Sequence, residues 1–192
     1  MNSQKEYYKS ADLHTVSQSA HSGKYLSLTN TTIQSVVTSI LGCGHSDMIS
    51  FCQVKTADEF EYLGRFRLKS YSLKKAYMIA ELDENGLDAF DNRSTIYAAW
   101  FENEIVATIR LTSAPFESSQ LIDSDRLVTF LGENYALHYL EWSRLIITHH
   151  STLPRLLPAI IIYAGLQTIA SGHYQHYFGY CTPIIKKLFP VF

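Results

Sequence analysis

Glu141 and Arg144 are the residues in this chain whose setting most needs a reason. They lie in Tyr139-Leu140-Glu141-Trp142-Ser143-Arg144-Leu145-Ile146-Ile147-Thr148, a run crowded with aromatic and β-branched side chains that reads as a strand. A carboxylate and a guanidinium inside so apolar a strand are costly to bury unless they are paired or used. Four further charges sit among apolar neighbours in the same way: Arg67 in a helical stretch, Asp88 and Asp91 in an acidic segment, and Arg110 in a second strand-like run. Three arginines and three carboxylates are able to neutralise one another around a single cleft. Bidentate pairing would hold loops in place and leave a polar pocket of low dielectric. A carboxyl desolvated there gains proton affinity and is suited to take a proton from an amine. A purely structural ion-pair network explains the same residues, and their types alone leave both readings open.

The elements that must position these groups follow from local pattern. Strict alternation along Tyr139–Thr148 places Glu141, Ser143 and Leu145 on one face and Trp142, Arg144 and Ile146 on the other. Thr56-Ala57-Asp58-Glu59 has capping-box spacing, and the helix after it carries Phe60, Leu63 and Phe66 on one face with Arg67 and Tyr71 beside them. Ser94–Phe101 and Ile105–Thr112 are strand-like and joined by Glu102-Asn103-Glu104, a hairpin signal, which makes Arg110 either an edge charge or a site residue. Glu81–Asp91 is an acidic loop with Gly86 as its turn residue, solvated by default. Ser113–Ser124 reads as a loop and Asp125–Leu131 as a short helix. Ile49–Val54 is a first strand, Ile33–Leu41 a short amphipathic helix, and Met1–Thr32 a polar, unpatterned arm. After Tyr139–Thr148, Ser151 or Thr152 caps a helix that runs to Gly172, Tyr174–Cys181 forms a strand, and Thr182-Pro183 opens a last helix. Strand, helix, hairpin, strand, helix, strand, helix is the order of an α+β, or mixed α/β, sheet domain with helices on its faces.

Composition narrows the function classes. A formal charge of −2 and the lack of a basic stripe with interleaved aromatics argue against nucleic acid as a partner. The three cysteines (Cys43, Cys52, Cys181) form no CxxC, and an odd, sparse set fits a reduced, cytoplasmic protein. The most apolar run, Leu156–Ala164, is short for a bilayer span and contains Pro158, so no stable membrane insertion is expected. GxxxxGK[ST], GxGxxG and GxSxG do not occur in the sequence. His149-His150 and His173 with His176 lack ligand spacing to a carboxylate or cysteine, so no metal is expected.

Four short motifs in order resemble a known family: Arg67-Leu68-Lys69-Ser70-Tyr71, Leu87-Asp88-Ala89-Phe90-Asp91, Ile109-Arg110-Leu111 and Glu141-Trp142-Ser143-Arg144. Their order and spacing resemble the acyl-homoserine-lactone synthases and, equally, the long-chain N-acyl amino acid synthases. The resemblance implies a GCN5-related acetyltransferase-like mixed sheet with helices on both faces. Its central strand would be Tyr139–Thr148, splayed from Tyr174–Cys181 with a thioester in the gap. After the polar N-terminal arm with its short helix over 1–48, it implies an acyltransferase-like domain over 49–192. The implied activity is N-acyl transfer from the phosphopantetheine of acyl carrier protein to the amine of an amino acid or similar small acceptor, with no other cofactor. Glu141 would be the catalytic base, and Arg67, Asp88, Asp91, Arg110 and Arg144 would bind substrate or brace the loop around it. Lys69, Lys74, Lys75, Lys186 and Lys187 are candidates to meet an acidic carrier protein.

The chain departs from the family pattern in three places. Lys74-Lys75-Ala76-Tyr77-Met78 stands where lactone synthases carry a tryptophan, which favours the amino-acid-acylating branch over one using S-adenosylmethionine. His149–Pro158 lacks the glycine-rich turn with which acetyl-CoA enzymes grip a pyrophosphate, a grip that a carrier-bound donor does not need. The sequence stops at Phe192, where the fold continues into further strands, so those C-terminal strands are expected to be missing. The last departure keeps a non-catalytic acyl-chain or carrier-protein binding module as the alternative, beside a lactone synthase.

Overall fold

The computed structural model describes residues 12–16, 28–42, 48–72, 76–148 and 155–181. Among the described residues, six strands form one sheet in the order β1-β6-β5-β4-β3-β2. They are β1 (Asp12–Val16), β2 (Ile49–Gln53), β3 (Ser94–Phe101), β4 (Glu104–Thr112), β5 (Tyr139–Ile147) and β6 (His176–Cys181). All neighbouring pairs are antiparallel except β5–β6, which is parallel. The antiparallel β3–β4 pair is closed by a two-residue loop, Glu102-Asn103, with φ of 51° and 67°. That is the backbone of the tight turn whose twist matches flanking strands. The parallel pair needs a long crossover, supplied by α5 (Leu156–Ser171).

Helices cover both faces of the sheet. On one, α1 (Asn30–Leu41) and α5 pack on β3, β4 and β5 around Val37, Tyr97, Ala107, Leu111, Ile160 and Tyr163. The helix α1 buries Ile33, Val37 and Leu41 at helical spacing, starts at the Thr29 cap and ends at Gly42. On the other face, α2 (Ala57–Ser72) buries Leu63, Phe66, Arg67 and Tyr71, and a smaller cluster of Phe116, Leu127, Leu131 and Phe178 sits beneath α3 (Ser124–Leu131). Thr56 and Glu59 form the expected capping box. The Glu59 N–H donates to Thr56 Oγ1 at 3.2 Å, and Glu59 Oε2 accepts from Thr56 N at 2.9 Å. A short helical turn, α4 (Tyr135–His138), leads into β5.

Three local expectations are revised. Met1–Thr32 is not wholly an unpatterned arm, since Asp12–Val16 pairs antiparallel with the outer edge of β6 and Asn30 opens α1. A five-residue strand defined by a partner far along the chain leaves little local signal. Residues before Ile49 thus add a strand and a helix to the same sheet and core. The segment after Ser113 contains a 3₁₀ turn, Glu117–Gln120, rather than open loop throughout. The crossover helix starts at Leu156, beyond the expected caps Ser151 and Thr152. Those two residues and the expected helix from Thr182 lie outside the described residues.

The largest revision is in β5. Strict alternation fails at Arg144, where φ is 49° and the β4 register slips: Ser143 faces Arg110, Ile146 faces Thr108, and two β5 residues oppose Ile109 alone. One extra residue in the strand is a β-bulge, which reverses the side-chain phase beyond it. Leu140, Trp142, Leu145 and Ile147 consequently pack on the α5 side. Glu141, Ser143, Arg144 and Ile146 serve the opposite face, through Ser118, Arg110, Asp88 and the α2 cluster respectively.

Candidate functional site

The acidic segment is not merely solvated. Its turn is held on α2 by backbone contact between two glycines. A Cβ on Gly64 would lie 1.8 Å from Asn85 O, and one on Gly86, whose φ is 78°, would lie 2.3 Å from Gly64 O. Asp83 Oδ1 accepts from the N–H groups of Asn85 and Leu87, both at 2.9 Å, and fixes the turn. This close approach sets Asp88 and Asp91 over the buried Arg67, and Asp91 takes a bidentate pair from its guanidinium at 2.5 and 2.9 Å.

Arg110 lies on β4 between β3 and β5, so it is a central-strand charge and not an edge one. All its nitrogens have acceptors. Nε donates to Ser143 Oγ at 3.0 Å, Nη1 to Asp88 Oδ1 and Asp91 Oδ1 at 2.5 and 2.9 Å, and Nη2 to Glu117 Oε2 at 2.5 Å. Burial alone would weaken its hold on its proton, but Glu117, Asp88 and Asp91 more than offset that. Arg144 reaches the same group because the bulge turns it inward. It donates from Nε to Asp88 Oδ2 at 3.0 Å and from Nη2 to Glu81 Oε2 at 2.9 Å, with Glu117 Oε1 at 3.7 Å. The Tyr71 ring lies 6.0 Å from its guanidinium carbon. A non-glycine residue in the left-handed region costs about 1–3 kcal/mol and persists only when its surroundings over-determine it. These four partners do that.

Glu141 stands apart from this network. It is fully buried, and its carboxylate accepts from the Ser118 N–H, 3.0 Å from Oε1 and 3.2 Å from Oε2. Among the described residues no arginine or lysine pairs with it. Burial, then the charge of nearby Glu117, raise its pKa to about 7, against the lowering pull of hydrogen bonds from Ser118 and Glu117. Its place in the sheet is as telling as its chemistry. Parallel pairing of β5 with β6 runs from Tyr139↔His176 through Leu140↔Tyr177 to Glu141↔Phe178 and stops there. Beyond that point β6 continues against β1 and β5 against β4, so a crevice opens between them at the level of Glu141.

All six residues singled out in the sequence therefore meet on one face of the sheet: Arg67, Asp88, Asp91, Arg110 and Arg144 in one network, and Glu141 beside it. Glu81, Glu117 and Ser118 join them without having been singled out. Glu117 had one legible signal, a charge directly after Phe116 in a polar segment, and Ser118 acts through a backbone N–H that no side-chain pattern announces. Lys69 is exposed, while Lys74, Lys75, Lys186 and Lys187 lie outside the described residues.

A mixed sheet with helices on both faces, split midway along its parallel pair, is a GCN5-related acetyltransferase-like fold. The comparison with solved structures agrees. The chain is similar to the AHL synthase LasI, with a TM-score of 0.53 and 11% identity, over 73% of this chain and 74% of that one. At that identity the likeness is one of fold. A second similar structure is the C-terminal DUF2156 domain of a putative lysylphosphatidylglycerol synthetase from Agrobacterium fabrum. It matches at 10% identity and a TM-score of 0.38, over 92% of this chain and 50% of that one. No protein-family profile and no curated protein sequence matches the chain. No helix among the described residues is long and apolar enough to cross a membrane.

Proposed function

We propose that this chain is an N-acyltransferase that moves a fatty acyl group from the thioester of acyl carrier protein to the amine of an amino acid or similar small acceptor. The observation that carries the reading is Glu141, a buried carboxylate with a pKa near 7 at the pair of residues where the sheet parts. A base titrating near neutrality has both the protonation state and the driving force to accept an amine proton. The amine attacks the thioester carbonyl in the crevice and Glu141, directly or through a water, takes its proton. Backbone N–H groups of β5 beyond Glu141 are suited to receive the developing oxyanion, and the thiolate of the carrier leaves as the amide forms. The fold shared with an AHL synthase and the four motifs from Arg67 to Arg144 support the same chemistry. Arg67, Arg110 and Arg144, engaged with protein carboxylates, serve as the brace that fixes β4, β5 and the Asp88 loop around the base.

The test is incubation of the protein with acyl carrier protein charged with acyl groups of several lengths and a pool of amino acids, with products read by mass spectrometry. An N-acyl amino acid is expected, and Glu141→Gln should lower its rate by about 10²–10⁴-fold. Product formation that ignores Glu141→Gln, or no product with any acyl length, overturns the reading. The pairing of all three arginines with protein carboxylates favours one alternative, a binder of acyl chains or carrier protein without turnover. That alternative predicts carrier-protein binding and no product.

A further inference from the structure

We infer that Trp142 is a stopper at the inner end of the β5–β6 crevice and confines the acyl group to short chains. This rests on the acyltransferase reading and adds a substrate class to it. Trp142 follows Glu141 directly and points to the other face, toward α5. The crevice thus has the base on one side of the sheet and this indole on the other. On β6 the position opposite is Gly179, and an added Cβ there would lie 2.2 Å from Trp142 Nε1, 2.5 Å from Cδ1 and 2.8 Å from Cε2. Only a glycine leaves room for the ring, so indole and β6 backbone close the gap between the strands.

Behind the ring, under α5, a void of about 10 Å³ remains, lined by Ile109, Leu111, Ile161, Gly165 and Tyr177 among others. A space of that size holds at most one water. No extended methylene chain enters it. Next to it lies a cavity of about 210 Å³ bounded by Tyr97, Leu140 and Tyr174, and the two share Leu111 and Thr168. A path is therefore laid out from the crevice along α5, apolar at first and then opening into walls that also carry Arg93, Gln167 and His173, and it is blocked at its first step by one side chain. The acyl carbonyl sits at the level of Glu141 and the tail ends at the indole, which suits short fatty acyl groups such as butyryl. Trp142→Ala would open a space on the order of 150 Å³, the size of an engineered cavity that admits benzene, and join it to the cavity beyond.

The experiment separates binding from turnover. Non-hydrolysable amide analogues of butyryl-, octanoyl- and dodecanoyl-pantetheine are titrated calorimetrically into wild type, Trp142→Ala and Trp142→Leu, with folding checked by circular dichroism. Wild type should prefer the butyryl analogue over the dodecanoyl one by at least about tenfold, the scale on which an apolar pocket discriminates chain length. Trp142→Ala should reverse that order, with Trp142→Leu between. The leucine variant carries the test if the alanine variant does not fold. Wild type binding the dodecanoyl analogue as well as the butyryl one, or folded variants keeping the wild-type order, overturns the stopper while acyl transfer from carrier protein would still stand. Binding of no analogue together with no product from any acyl carrier protein overturns both.

Discussion

Replacing Glu141 by Gln should make the protein more stable at alkaline pH while sharply lowering the proposed activity. Burial and the charge of Glu117 move the Glu141 pKa from its ordinary 4.5 to about 7 in the folded protein. The folded state thus binds this proton more tightly than the unfolded chain does, and between pH 4.5 and about 7 it carries the greater number of protons. Stability contributed by the neutral carboxyl is fully present below pH 4.5 and is lost as pH rises through 7. At ~1.4 kcal/mol per pH unit, the cost of ionising Glu141 in place comes to about 3 kcal/mol at pH 8. Glutamine has the shape of the protonated acid and never ionises. The gain of Glu141→Gln over wild type should grow from near zero at pH 4.5 to about 3 kcal/mol at pH 8, or about 6–12 °C in Tm for a chain of this size. Urea unfolding of both proteins at several pH values measures the difference, and histidine titrations common to both cancel. A difference that is flat with pH, or a variant less stable than wild type at pH 8, would refute the placement of Glu141 as a desolvated carboxyl without a cationic partner.

Arg67→Met should lower unfolding free energy by about 3 kcal/mol, the low end of the range for breaking a buried pair, because Asp91 keeps Arg110 Nη1 at 2.9 Å; chemical denaturation measures it, and a loss under about 1 kcal/mol would mean that Arg67 contributes little. Gly64→Ala should destabilise by about 2 kcal/mol even though alanine is the better helix former by about 1 kcal/mol, since its methyl would meet Asn85 O at 1.8 Å. The same variant should lose activity, as the turn that carries Asp88 must lift from α2. Thr56→Ala, which removes the cap acceptor of Glu59 N, should cost about 1 kcal/mol and leave acyl transfer unchanged.

Residues whose role is set by their immediate neighbours were legible in sequence. The capping box at Thr56 and Glu59, the β3–β4 hairpin and the apolar β5 run all follow from spacing over a few positions. The mixed sheet was legible from element order, and the six charges that meet on one face of it from one observation, a charge embedded in apolar surroundings. Features that depend on distant chain were not. Strand β1 exists through pairing with β6, more than 150 residues further along. The bulge at Arg144 depends on how β5 meets β4, and strict alternation put Glu141 and Arg144 on opposite faces. A two-residue period has no means of signalling one extra residue, so the feature that unites the two charges was invisible in the strand containing them.

The network and the base are two halves of one electrostatic arrangement. Asp91 and Glu141 are both fully buried carboxylates on the same face of the sheet, yet their proton affinities move in opposite directions. For Asp91, burial pushes the pKa up, but the Arg67 hydrogen bonds and charge, the Asp88 N–H and Arg110 together bring it below the usual carboxylate value. Glu141 meets the same burial with hydrogen bonds from Ser118 and Glu117 alone and with the added charge of Glu117. The difference lies in where the arginines are spent. Arg67 and Arg110 are committed to Asp91, Asp88 and Glu117, and Arg144, delivered by the bulge, to Asp88 and Glu81. Among the described residues no cation is left to hold Glu141 ionised. Carboxylates driven apart in this way mark a division of labour, one fixed as a charged strut and the other left ready to exchange a proton. On this argument an arginine freed from the network would disarm the base. Asp88→Asn removes one charge from both Arg110 and Arg144, so it should lower the Glu141 titration midpoint and move the acidic limb of the pH–rate profile downward without touching the crevice.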